Sequence, residues 1–169
     1  MKENIKLIAV SLVLTAAVVG GFVWLSGKNS RPQTSAIDSG DAGGILTSKE
    51  TFYDFGSVKI NGGFVNHEYA LENSSDKIIK IGEVSTSCMC TAAQIIIGDK
   101  TYGPFGMPGH SGARKANVII NPGEKLILKA VFDPAAHGPS GIGMIERQIF
   151  VNTGAEQPLI LGFKANVTP

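Results

Sequence analysis

The pattern of apolar and polar positions divides the chain into three stretches. Leu7 to Leu25, "LIAVSLVLTAAVVGGFVWL", carries no charged residue. An α-helix rises about 1.5 Å per residue, so this run reaches roughly 28 Å, close to the hydrocarbon thickness of a bilayer. It predicts a single transmembrane anchor over 7–25, with residues 1–6 as a short cytoplasmic N-terminus and Trp24 at the interface. A cleaved signal peptide is the competing reading. Its apolar region is shorter, about 7–15 residues, and no small-residue cleavage site follows Leu25. Either way the remainder is exported. Residues 26–48, rich in Ser, Gly and Asp, predict a flexible linker.

From residue 49 to 169 short apolar runs alternate with turn residues. "TFYDFGSV" reads as a first strand, and "GGFVNHEYALEN" places Val65, His67, Tyr69 and Leu71 on one face. "DKIIKIGEVSTSC" reads as a third strand. After the "NPGE" turn, "KLILKAVFD" puts Leu126, Leu128, Ala130 and Phe132 on one side and Lys125 and Lys129 on the other. "IERQIFVNT" aligns Ile145, Ile149 and Val151, and "PLILGFKANV" aligns Leu159, Leu161, Phe163 and Val167. About seven strands with no long helical period predict an all-β antiparallel sandwich. Residues 98–117, "GDKTYGPFGMPGHSGARKAN", show no period and read as a long loop.

The quoted segments together resemble the DUF1573 family, a bacterial immunoglobulin-like domain of the same broad type as the ASPM–SPD-2–Hydin modules. The residues carrying the resemblance are Asp54-Phe55-Gly56, His67/Tyr69/Leu71/Asn73, Ser87-Cys88-Met89-Cys90-Thr91, Pro122-Gly123 and Phe132-Asp133-Pro134. It covers residues 50–167 and implies the fold and an extracytoplasmic compartment. Two departures from the family pattern stand out. Met89 replaces the glycine between the cysteines, and the stretch before the Pro-Gly turn is longer and carries Met107 and His110.

The two cysteines of the chain are Cys88 and Cys90. Three readings stand side by side. In a straight strand residues two apart lie about 6.6–6.8 Å apart at Cα, the outer limit of disulfide geometry at roughly 4.4–6.8 Å. A disulfide therefore needs the backbone to bend. A soft metal needs less distortion, and Cu(I), with Met107 or His110 as further ligand, suits two thiolates better than a closed zinc site. Reduced cysteines packed at the edge of the core are the third reading. His137 and Met144 complete the soft candidates; His137, in a turn, reads as solvated and His67 as a hydrogen-bonded residue at the core edge.

"GHSGA" lacks the strand-before, helix-after context of a nucleophile elbow, so Ser111 is not read as catalytic. Asn73-Ser74-Ser75 and Asn166-Val167-Thr168 fit the glycosylation pattern, which alone decides nothing. A formal net charge of +1 argues against a nucleic-acid surface. The resulting expectation is a non-enzymatic binding or scaffolding module anchored in the cell membrane, with the domain outside and a protein partner. Phe105 and Met107 are its expected contact residues, and copper handling or thiol redox at the Cys-x-Cys pair is the alternative.

Overall fold

The computed structural model describes residues 44–110, 112 and 114–169. The anchor expected over 7–25 and most of the linker lie outside the described residues, as does Ser111. Among the described residues no helix is long and apolar enough to cross a membrane.

The described chain forms ten strands: β1 (Leu46–Ser48), β2 (Phe52–Lys59), β3 (Val65–Asn73), β4 (Ile79–Thr86), β5 (Thr91–Ile97), β6 (Lys100–Phe105), β7 (Lys115–Ile120), β8 (Lys125–Phe132), β9 (Gly143–Asn152) and β10 (Leu159–Thr168). They build two five-stranded sheets, ordered β1-β3-β8-β5-β6 and β2-β10-β9-β4-β7. All pairings are antiparallel except β2 with β10. The all-β two-sheet sandwich is therefore as expected, with more strands than the sequence suggested and one parallel pair.

The faces follow the period-two pattern. In β8 Leu126, Leu128, Ala130 and Phe132 are buried, and their register partners on β3 include the buried Tyr69 and Leu71. The other sheet contributes Ile149 and Val151 from β9 and Leu161, Phe163, Ala165 and Val167 from β10. The two inner faces form one core. The Tyr69 hydroxyl donates to the Gly162 carbonyl at 2.6 Å and so joins the sheets through buried space.

The stretch expected to be a long loop, 98–117, is paired in part, by β6 and the first residues of β7. Thr101 and Tyr102 of β6 lie opposite Ile96 and Ile95, and Phe105 lies opposite Ala93. Pro104 breaks no ladder because β6 is an edge strand. Gly103 has φ +108, and a Cβ there would meet the Ala93 carbonyl oxygen at 2.9 Å. Only glycine fits that bulge without displacing backbone. At the "NPGE" turn Gly123 has φ +72 and Glu124 N–H donates to Asn121 O at 3.0 Å, the arrangement of a type II turn with proline at its second position.

Asp54 accepts from the Gly56 amide at 2.8 Å and faces Lys164 Nζ at 3.2 Å across the β2–β10 pair. The Gly56 amide, and after it the Lys164 ammonium, hold the Asp54 carboxyl below its ordinary value of 3.8. A carboxylate held down in the fold contributes stability above that ordinary value, and loses it as pH falls through the lower folded-state value. Urea midpoints of the wild type and Asp54→Asn are expected to differ at neutral pH and to converge below about pH 4. A gap that stays constant into strong acid would remove Asp54 from this role.

Candidate functional site

Residues Ser87–Cys90 connect β4 in one sheet to β5 in the other. The chain must turn across the end of the sandwich there, so the straight-strand geometry does not apply. Cys88 and Cys90 approach to 5.3 Å at Cα and are joined as a disulfide. The bend that a disulfide requires is thus supplied by the inter-sheet crossing itself.

The crossing is tied down on every side. Thr91 N–H donates to Cys88 O at 3.1 Å, and Cys90 N–H lies 3.3 Å from Cys88 Sγ. The buried Thr86 hydroxyl is within hydrogen-bond distance of the Cys88 and Thr91 carbonyls, at 3.0 and 3.1 Å. Ser87 N–H donates to Gln148 O, and Gln148 N–H donates to Ser87 Oγ, both at 2.9 Å. Asp133 N–H donates to Cys90 O at 2.9 Å.

Two further side chains reach the sulfurs. His137 Nε2 lies 3.1 Å from Cys88 Sγ. The histidine is carried by the turn after β8, where Asp133 Oδ1 accepts from Ala135 N–H at 2.9 Å and Gly138 N–H donates to Ala135 O at 2.8 Å. His137 is therefore not a merely solvated turn residue. Arg147 Nε donates to Cys90 Sγ at 3.2 Å. Arg147 lies opposite Phe163 in the β9–β10 register, which puts it on the core-facing side at the end of the sandwich. The Thr91 hydroxyl stands 3.7 Å from the same sulfur.

Each sulfur therefore has its own polar neighbour: an imidazole for Cys88, a guanidinium for Cys90. Cys88 is 9% and Cys90 3% exposed, while Met89 between them is 53% exposed and points away. The ring encloses only Met89, so chain-entropy reasoning gives it a small share of stability, about 1.5 kcal/mol. Among the described residues Cys88, Cys90 and His137 form a group whose donor atoms all lie within 4.8 Å. As a disulfide the sulfurs offer no thiolate to a metal; opened, they and His137 would present a three-donor soft set.

The other expected site residues fall elsewhere. His110 is exposed in the β6–β7 connection, where its N–H donates to Met107 O at 3.1 Å, and it is outside the Cys–Cys–His group. Met107 is half-buried in that same connection. Phe105 is 2% exposed and belongs to the core, so it offers no partner a contact surface. His67 stacks on Tyr53 with ring centroids 3.7 Å apart and holds Glu50 Oε2 at 2.9 Å.

The sequence signal for Arg147 was present: Ile145, Arg147, Ile149 and Val151 share one face, and a cation in that series has a reason to be there. No comparable signal marks His137, whose approach depends on a turn 49 residues from Cys88.

A crystal structure of a protein of unknown function from Porphyromonas gingivalis W83 superposes with a TM-score of 0.54 at 18% identity, over 78% of this chain and 51% of that one. The chain thus spans about half the length of that structure, and the likeness is one of fold. The ASH/PapD-like domain of human CEP192 gives 0.41 at 11% identity, covering 73% of this chain and 84% of that domain. The periplasmic chaperone SfaE gives 0.38 at 8% identity, covering 74% and 59%. No curated protein matches the sequence. The family model that does match is DUF1573, described as a protein of unknown function; the match covers residues 46–101, about a third of the chain, and includes the Cys-x-Cys crossing.

Proposed function

We propose that the domain is an extracytoplasmic binding or scaffolding module, held at the membrane by the apolar segment 7–25. The observation that carries this reading is an apolar strip on the outer face of the β2-β10-β9 sheet. Ile160 lies opposite Phe150, and Phe52 lies opposite Gly162 two residues further along β10. The Phe52 ring covers Gly162, where a Cβ would meet it at 2.9 Å. Phe52 and Ile160 remain 43% and 44% exposed. An antiparallel sheet with one solvated face normally carries polar residues there, and exposed apolar side chains grouped on it support a contact surface for another protein.

A photo-crosslinking residue placed at Phe52 or Ile160 of the full chain in its native membrane is expected to yield a discrete higher-mass adduct. The same residue at Lys80, an exposed position on β4, is expected to yield none. Recovery of uncrosslinked chain alone from the Phe52 and Ile160 positions would count against the proposal.

A further inference from the structure

The Cys88–Cys90 disulfide has an imidazole on one sulfur and a guanidinium on the other, and closes a short ring at the low end of what chain entropy stabilises. Structural disulfides in a core need neither neighbour. From this pairing we infer that the crossing is a thiol–disulfide exchange centre that reacts with an external dithiol, with Cys88 as the attacked sulfur, Cys90 as the leaving thiolate held by Arg147, and His137 as the proton acceptor. This goes beyond the partner-binding reading and does not rest on it.

The division of roles follows from position. Both cysteines are buried, Cys88 the less so as a residue, and the side chain beside Cys88, His137, is exposed. An incoming thiol therefore meets Cys88 first, with the His137 Nε2 at hand to take its proton. Cys90 lies deeper, and the charge that appears there on cleavage faces the Arg147 Nε–H and the Thr91 hydroxyl. A nearby cation stabilises a thiolate and so makes it a better leaving group.

The reaction balances without a further reagent. The first thiol of the dithiol gives its proton to His137, and its sulfur bonds to Cys88 Sγ. The Cys88–Cys90 bond breaks and its electron pair leaves on Cys90. The second thiol of the dithiol then attacks the external sulfur of the mixed disulfide, and Cys88 leaves, taking the proton back from His137. The proton of the second thiol passes to Cys90 or to solvent. The dithiol is oxidised to a disulfide by two electrons, and the Cys88–Cys90 pair is reduced by two. The same path run backwards oxidises the pair, and the relative potentials of the two couples set the direction.

The test uses the full chain with dithiothreitol as the probe dithiol, quenching by alkylation and counting modified cysteines by mass. Circular dichroism confirms that each variant is folded. The wild-type disulfide is expected to open in the native state. Arg147→Gln is expected to slow opening by at least about threefold and Arg147→Lys to restore most of the rate, as a leaving-group effect requires. In the reduced protein, the ultraviolet thiolate absorbance at about pH 7 should fall in Arg147→Gln and recover in Arg147→Lys. His137→Gln should slow the reaction near neutral pH, the deficit vanishing towards about pH 9–10, where the attacking thiol ionises unaided. A disulfide that opens only in denaturant, or equal rates in the wild type, Arg147→Gln and His137→Gln, would overturn the proposal and leave a structural crosslink.

Discussion

Phe163→Ala is expected to lower the free energy of unfolding by about 3–5 kcal/mol. Phe163 is fully buried near the middle of β10, with the Phe55 ring centroid at 5.3 Å and that of Phe132 at 5.5 Å. Phe55 belongs to its own sheet and Phe132 to the opposite one, so the ring fills the space where the two layers meet. Truncation removes its buried area and leaves a cavity that neighbours fixed in two separate ladders cannot readily close. Domains of this kind are stable by only about 5–15 kcal/mol, so the loss is a large share of the total. Urea unfolding should show a lower midpoint with an unchanged slope. A loss below about 1 kcal/mol would mean that the site collapses around the missing ring.

Asn73→Ala is expected to cost about 2–4 kcal/mol, more than a solvent-facing strand end would suggest. The Asn73 side chain is fully buried. Its Nδ2 donates to Lys77 O at 2.8 Å and to Ile120 O at 3.1 Å, while its Oδ1 accepts from Ser75 N–H at 3.1 Å and Ser75 Oγ at 2.6 Å. Its backbone N–H donates to Glu124 O and its carbonyl accepts from Gly123 N–H. One residue thus joins the β3–β4 turn to the β7–β8 turn, and alanine strands several polar groups at once. Asn73→Asp should be at least as damaging at neutral pH, because it replaces the donor with an acceptor facing two carbonyls. Equal midpoints for the wild type and Asn73→Ala in urea would contradict this account. The same bonds keep the Asn73 amide inside the fold, so the sequon at this position is not presented at the surface.

How far the sequence could be read depended on what each strand buries. β3, β8 and β10 face solvent on one side, and their alternation is plain in the residues. β5, "TAAQIII", is a short apolar run without polar alternation, and no period distinguishes it from a continuation of the cysteine segment. β6 was hidden by Gly103 and Pro104, which are loop signals everywhere except at a sheet edge. At the site, the cysteine spacing was visible but the turn that brings them together was not, because it exists only where the chain changes sheets. Arg147 could be found from its place in a core-facing series. His137 could not, since its position follows from the return of β8 to the same end of the sandwich and from the Asp133 turn that succeeds it.

The place of β8 between β3 and β5 bears on what can be cut from this protein. The segment matching DUF1573 ends at residue 101, before β8 begins. Strands β3 and β5, both inside the segment, touch each other only through β8. A fragment ending at that residue is therefore no miniature of the whole: it would hold two strands that have each lost their common neighbour, with bare amides and carbonyls where a ladder should be. The stretch that carries the recognisable residues and the stretch that folds have different borders, and a deletion designed on the first would yield a chain prone to borrow its missing strand from another copy.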